Sequence, residues 1–187
     1  MKTLNDLLDE AAIKAPNNTF IVTAEDTVTF GDFQERVMRL SSGFAQRDIK
    51  KGDCVAIVHR NSPHFVAAYF ALTRLGAIAV PINFMVQKPD ELAFMLNDCK
   101  ALGIVTQREF LKGLHAAAAK SPAVRAVWVT DFEPSPNAAQ LEQPFASLED
   151  SAGAANAIDT SEQDTAAILY TSGTTGNPKG VMLTHRN

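Results

Sequence analysis

Residues 54–106 read CVAIVHRNSPHFVAAYFALTRLGAIAVPINFMVQKPDELAFMLNDCKALGIVT, and the hydrophobic period changes repeatedly along them. CVAIVH is a short β-rich run. SPHFVAAYFALTRLG is helical, with Pro63 early and Gly76 late, and AIAVPI is strand-like again. PDELAFMLNDC opens a second helix on Pro-Asp-Glu, and LGIVT returns to strand character. Strands that are apolar almost throughout must be covered on both faces, and strands that alternate with helices form parallel sheets with right-handed crossovers. The stretch therefore predicts an α/β fold: a doubly wound, mostly parallel sheet with flanking helices.

The alternation continues toward the C-terminus. A helix runs through Phe110, Leu111, Leu114 and the alanines at 116–119, and AVRAVWVT is the next strand. Between Asp131 and Asp164 the pattern fades into a segment with Pro134, Pro136 and Pro144, read as a long surface loop with a short turn near Phe145 and Leu148. TAAILYTS then resumes as a buried strand. Toward the N-terminus, Leu4, Leu7, Leu8 and Ala11 fall at the spacing of a surface helix and not of a signal peptide. TFIVTA and TVTF suggest a short hairpin turning at Glu25-Asp26. Phe33, Val37, Leu40 and Phe44 then give one apolar helix face, with Asp32 as the expected N-cap.

Composition narrows the function classes. The chain has 187 residues, 46% hydrophobic and 20% charged, enough for a globular core. Its 17 basic and 21 acidic residues give a net charge of -4, with no basic run to track a nucleic-acid backbone, so no nucleic-acid partner is expected. No apolar run approaches the roughly 18 residues of a transmembrane helix, and a soluble, cytoplasmic protein is expected. Cys54 and Cys99 stand far apart in apolar segments, which reads as buried thiols in a reducing compartment. His59, His64 and His115 lack carboxylate or cysteine neighbours at catalytic or metal-binding spacing, and no metal ligands are assigned. Phe65, Tyr69 and Phe70 lie at core periodicity on their helix, and core packing is favoured over an acyl pocket there.

The densest chemistry lies at 170–187, YTSGTTGNPKGVMLTHRN. A buried strand enters a loop of glycines and hydroxyls, and GVMLTH leaves it as a second strand. Glycine lets backbone N–H groups approach an anion closely, hydroxyls donate without adding charge, and Lys179 offers a point charge on a flexible stem. Pro178 restricts the turn. The G-x-x-x-x-G-K-[ST] pattern does not fit, because Lys179 follows Gly176 by three residues and precedes Gly180. G-x-G-x-x-G is absent as well, so nucleotide binding of another kind is implied.

TSGTTGNPKGVMLTHRN resembles the phosphate-loop signature of the adenylate-forming enzymes, a superfamily of acyl-CoA synthetases, luciferases and peptide-synthetase adenylation domains. KGDCVAIVHRNSPHFVAAYFALTRLGAIAVPINFMVQKPDELAFMLNDCKALGIV is similar to the earlier part of the same N-terminal domain, so the resemblance spans nearly the whole chain. It implies a reaction in which a carboxylate attacks the α-phosphate of ATP to give an acyl-adenylate and pyrophosphate, after which a thiol, commonly of CoA, displaces AMP. Magnesium would accompany the ATP. Thr171, Ser172, Gly173, Thr174, Thr175 and Gly176 are then expected to wrap the β- and γ-phosphates, with Lys179 contacting them or the departing pyrophosphate. Thr184, His185 and Asn187 match the pattern after the loop, with a capping or orienting role open for Asn187. Tyr170 is read as packing.

The same resemblance makes residues 1–187 a partial N-terminal AMP-binding domain that ends just after the phosphate loop, without the C-terminal domain and its catalytic lysine. No catalytic residue is expected within it, and alone it is expected to be inactive. PINFMVQKPDELAFMLNDC resembles the fatty-acid CoA ligase branch, which makes a fatty acid the expected carboxylate. Two other readings stay open: a phosphate-binding or interaction module, and one half of a split adenylating enzyme. Uncovered apolar faces and an open sheet edge are expected to favour self-association.

Overall fold

The computed structural model describes residues 2–134, 140–150, 158–171 and 177–187. Helix α1 (Leu4–Lys14) leads into a hairpin of β1 (Thr19–Val22) and β2 (Thr27–Thr29), and β2 runs without a break into α2 (Phe30–Gln46). The alternation read from the sequence follows: β3 (Cys54–Val58), α3 (Pro63–Arg74), β4 (Ile78–Pro81), α4 (Pro89–Asp98), β5 (Gly103–Thr106), α5 (Leu111–Ala118) and β6 (Ala126–Val129). The last strands are β7 (Glu142–Pro144), β8 (Thr165–Thr171) and β9 (Lys179–Thr184). Seven of them form one sheet in the order β7-β6-β5-β3-β4-β8-β9, parallel except for the antiparallel β8–β9 pair.

The sheet is covered on both sides, as its apolar strands require. Val55 and Ile57 of β3, Val105 of β5 and Trp128 of β6 pack with Phe33, Val37, Leu40 and Phe44 of α2 and with Ala68 and Leu72 of α3. The alternate residues, Ala56 and Val58, Ile104, Val127 and Val129, pack with Leu92 and Leu96 of α4 and with Leu114 and Ala117 of α5. Side chains of period two thus feed two cores from one set of strands.

Helix ends follow local chemistry. In α3, the Ser62 Oγ accepts from the Phe65 N–H at 3.2 Å, Pro63 opens the first turn, and Gly76 follows the last turn at φ +67°. The N-cap of α2 is Thr29 and not Asp32. Its Oγ1 accepts from the Asp32 N–H at 3.1 Å, and its hydroxyl donates to Asp32 Oδ2 at 2.7 Å. Because β2 feeds straight into the helix, helical geometry starts at Phe30. Asp32 is left in the first turn, where its charge complements the helix dipole. In α1 the buried face is Asn5, Leu8 and Ala12, while Leu7 is exposed. Asn5 was invisible as a core residue because its Nδ2 is satisfied across the interface by Thr73 Oγ1 of α3, at 3.3 Å.

Part of the segment read as a surface loop is structural. β7 adds a parallel edge to β6, and the 3-10 turn Phe145–Leu148 inserts Phe145 and Leu148 into the core against α2. The proposed turn there exists, but two almost fully buried side chains make it a packing element. Residues 135–139 and 151–157 of that segment lie outside the described ones. β8 is buried only at its start: Ala166 and Ala167 are enclosed, whereas Leu169 is exposed. Val181 and Met182 of β9 are also exposed.

The two cysteines, 45 positions apart in sequence, are neighbours in the fold. Both are free thiols on the α4 side of the sheet. The Cys99 thiol beside it, together with burial, pushes Cys54 well above the usual thiol range. Among the described residues, no helix is long and apolar enough to cross a membrane.

Candidate functional site

β8 and β9 form the arms of a strand-loop-strand hairpin at one edge of the sheet. Their register runs from Thr165 opposite Thr184 to Thr171 opposite Lys179, with Tyr170 opposite Gly180 just inside that last pair. Directly opposed residues of an antiparallel pair project to the same face, so the Thr171 hydroxyl and the Lys179 ammonium flank the mouth of the loop together. Both residues are exposed. Lys179 makes no ion pair among the described residues. Ser172, Gly173, Thr174, Thr175 and Gly176 lie outside the described residues, so of the expected phosphate ligands the structure places the first and the last.

The far end of this hairpin is tied down. The Leu4 N–H donates to His185 Nδ1 at 3.3 Å, and the Thr184 N–H donates to Asn187 Oδ1 at 2.8 Å. His185 is buried, which lowers its proton affinity. Asn187 thus orients Thr184 at the end of β9. These contacts link the strand to the N-terminus of α1, and they give the open hairpin one fixed end.

The loop end is tied to α4. The Tyr170 hydroxyl donates to Asp98 Oδ2 at 2.7 Å and lies 3.2 Å from the Met95 carbonyl oxygen. Burial and then the Asp98 carboxylate push the phenol pKa up. The ring lies against Gly180: a Cβ built there would stand 3.3 Å from Tyr170 Cε1 and Cζ and 2.9 Å from Ile168 Cγ2. Beside it lies a cavity of about 340 Å³ lined by Asn83, Val86, Glu91, Met95, Tyr170, Thr171 and Pro178. Tyr170 is therefore more than packing. Its partner Asp98 lies 72 positions away, and no local pattern could have shown it.

A larger cavity, about 480 Å³, lies at the C-terminal end of β3 between α4 and α5, lined by residues including Val58, Leu92, Phe110 and Leu114. Next to it Arg60 forms a two-pronged pair with Glu109 at 2.7 and 2.9 Å and lies over the Phe84 ring. Neither Thr171 nor Lys179 is among the described residues that line it.

The histidines are held by structure. His59 Nδ1 donates to the Arg60 carbonyl at 2.6 Å, which leaves Nε2 to accept from the Thr130 hydroxyl at 2.9 Å. His64 stacks on His59 and meets Phe145 edge-on. Burial, with the charges of Arg36 and His59 behind it, lowers His64 to about 4. His115 Nε2 lies 2.9 Å from Glu142 Oε1, a carboxylate neighbour that the sequence spacing did not reveal. Phe65, Tyr69 and Phe70 pack half-buried against the α2–α3 core, with Phe70 edge-on to Phe33 at 5.8 Å.

A family model described as AMP-binding enzyme matches residues 8–187. Bacitracin synthase 1 of Bacillus licheniformis is 28% identical over 184 residues, which are 98% of this chain and 3% of that protein. The crystal structure of the anthranilate CoA ligase AuaEII in complex with anthranoyl-AMP superposes with a TM-score of 0.91 at 25% identity, over 99% of this chain and 35% of that one. A long-chain-fatty-acid-CoA ligase from Archaeoglobus fulgidus superposes at 0.83 with 30% identity, over 98% and 36% of the two chains. The chain thus spans about a third of the length of these CoA ligases, and far less of the synthase.

Proposed function

The chain belongs to the family of AMP-binding enzymes, and from that premise we propose that it is the N-terminal part of an AMP-forming acid–thiol ligase whose loop at 171–179 holds the triphosphate of ATP. The observation that carries the reading is the Thr171–Lys179 pair, which sets a hydroxyl donor and an ammonium at the mouth of a Gly/Ser/Thr-rich loop. This donor set suits a polyanion. Backbone N–H groups and hydroxyls of residues 172–176 would enclose the β- and γ-phosphates, and Lys179 would balance charge on the departing pyrophosphate.

In the first step a carboxylate oxygen bonds to the α-phosphorus while the bond to the bridging oxygen breaks, giving acyl-AMP and pyrophosphate. In the second the thiol sulfur of CoA bonds to the acyl carbon, AMP departs, and the thiol proton is released. The ATP reaches the site with magnesium, which supplies charge neutralisation across its phosphates. The residues of this chain contribute by fixing the leaving pyrophosphate, so that the α-phosphorus stays in line with the incoming oxygen.

For the carboxylate we propose a fatty acid. The resemblance of residues 81–99 to the fatty-acid branch and the 30% identity to the archaeal ligase support it. Relatives named for anthranilate and for bacitracin synthesis make the acid class the first thing to measure. For residues 1–187 alone we propose no turnover, because positioning the carboxylate would fall to parts that the matched ligases carry beyond this third of their length. The exposed Leu169 and Val181, opposed on one face of the β8–β9 pair, and the exposed Met182 on the other support association of the isolated chain through this hairpin.

The test is carboxylate-dependent ATP–pyrophosphate exchange by the protein that carries this chain, over fatty, aromatic and amino acids. The Thr174→Val/Thr175→Val double variant removes two hydroxyls and keeps shape. It should slow exchange at least about tenfold, corresponding to about 1.4 kcal/mol. Unchanged exchange would remove the loop from the active site.

A further inference from the structure

The loop proposed to hold phosphate is fastened at its mouth by a contact that the chemistry above does not use. Tyr170 immediately precedes Thr171, and Gly180 immediately follows Lys179. The two are register partners one step inside the Thr171–Lys179 pair. On the face that carries α4, the Tyr170 ring lies beside Gly180, where a Cβ would stand 3.3 Å from two ring carbons and 2.9 Å from Ile168 Cγ2, so a larger residue there would force these side chains to shift. Beyond the ring, the hydroxyl reaches the C-terminal turn of α4, donating to Asp98 Oδ2 at 2.7 Å with the Met95 carbonyl oxygen at 3.2 Å. One side chain therefore fixes the strand entering the loop, the strand leaving it and the helix beside both. The same side chain, with Met95 and Thr171, walls the cavity of about 340 Å³ next to the loop.

We infer that Asp98 and Tyr170 are positioning residues, a strut from α4 that sets the mouth of the phosphate loop and with it the grip on the triphosphate of ATP. The inference rests on the phosphate-binding reading of the loop. The hydroxyl bond to a carboxylate is charge-assisted and directional, so it fixes where the ring stands as well as that it is packed. A phenylalanine would pack in the same place without being held to the end of the helix. Asp98 is exposed and Tyr170 half-buried, so neither polar group is needed to fill the core.

The experiment uses the protein carrying this chain, with steady-state ATP–pyrophosphate exchange and thermal unfolding measured on Tyr170→Phe, Asp98→Leu, Asp98→Asn and the double variant Tyr170→Phe/Asp98→Leu. Tyr170→Phe and Asp98→Leu should each raise KM for MgATP about 5- to 20-fold, with KM for the carboxylate changed by less than about twofold. The double variant should do no worse than the weaker single one, because both remove the same bond. Asp98→Asn keeps an acceptor and should recover to within about threefold of the original protein. Unchanged KM for MgATP in both single variants would overturn the inference. So would a fall in unfolding midpoint with equal losses for both substrates, since that describes packing alone. Exchange absent from the unaltered protein would overturn the phosphate reading itself and this inference with it. Full exchange in the unaltered protein with silent variants would sink only the strut.

Discussion

Gly43 and Leu148 meet where no side chain fits: a Cβ built on Gly43 would stand 2.1 Å from the Leu148 carbonyl oxygen and 2.7 Å from its carbonyl carbon. Helix α2 therefore rests with its backbone directly on the 3-10 turn Phe145–Leu148, across 105 positions of sequence. The obstructing atoms are main chain and cannot rotate aside. Gly43→Ala should therefore destabilise the protein by about 3 kcal/mol, the upper part of the range for overpacking. The expected fall in unfolding midpoint is about 6–12 °C. Gly52→Ala is the contrast, since a Cβ there meets nothing within 4 Å and only the φ of +85° opposes it; it should cost less than Gly43→Ala in the same assay.

Gly103 makes room for an indole in the same way. A Cβ at Gly103 would lie 2.4 Å from Trp128 Cζ3, and Trp128 is 1% exposed and edge-on to Phe44 at 5.1 Å. Gly103→Ala should displace the ring and cost about 1–3 kcal/mol. The chain has one tryptophan, so its fluorescence reports on this site alone. A shifted emission maximum in Gly103→Ala, with part of the stability regained in Gly103→Ala/Trp128→Phe, is the expected result.

Acid should weaken the fold before its carboxylates titrate. Burial lowers the proton affinity of His59 and His185, and it lowers His64 to about 4. In the unfolded chain each binds its proton near pH 6.5. Below that pH the unfolded state takes up more protons than the folded one, so stability falls with pH from about 6.5. The loss from His64 is complete once pH has passed about 4, where the folded form is protonated too. Denaturant titrations between pH 7 and pH 4 should show the decline, and His64→Gln should flatten it.

Lys179 should separate activity from stability. It is exposed and makes no ion pair among the described residues, so Lys179→Ala should move the unfolding midpoint by less than about 1 °C. Under the function proposed above, the same variant should lower carboxylate-dependent pyrophosphate exchange about tenfold or more. Midpoint and exchange falling together would make the lysine structural.

The strands and helices from Cys54 to Val129 were legible because burial on both faces of a parallel sheet is written into consecutive residues: apolar runs of four or five, then a period near 3.6. Pro63 and Gly76 mark the ends of α3 for the same reason, since each acts on backbone within one turn, whereas the Ser62 cap emerged with the structure. Asp32 misled because it has the right chemistry for a cap and sits three residues too late. The start of α2 is fixed by the end of β2, which side-chain preference alone does not locate.

The loop proposed to hold phosphate is likewise a local object, and a contiguous run of hydroxyls and glycines carries its chemistry in sequence. What meets the strand entering it is not local. Asp98 meets Tyr170 across 72 positions, and the Cys54 and Cys99 thiols, far apart in sequence, become neighbours on the α4 side of the sheet. The segment 142–148 is short, proline-bearing and without periodicity, yet Phe145 and Leu148 are among the most enclosed side chains. Which segments become strands or helices, and which loop carries the hydroxyls and glycines of the proposed phosphate site, could be read along the chain, because those properties depend on neighbours within a few residues. Which short segment joins the core, and which helix end meets the strand entering that loop, depended on the folded arrangement. Burial and hydrogen bonding there depend on surfaces that distant parts of the chain supply, and such partners leave no periodic trace in either segment.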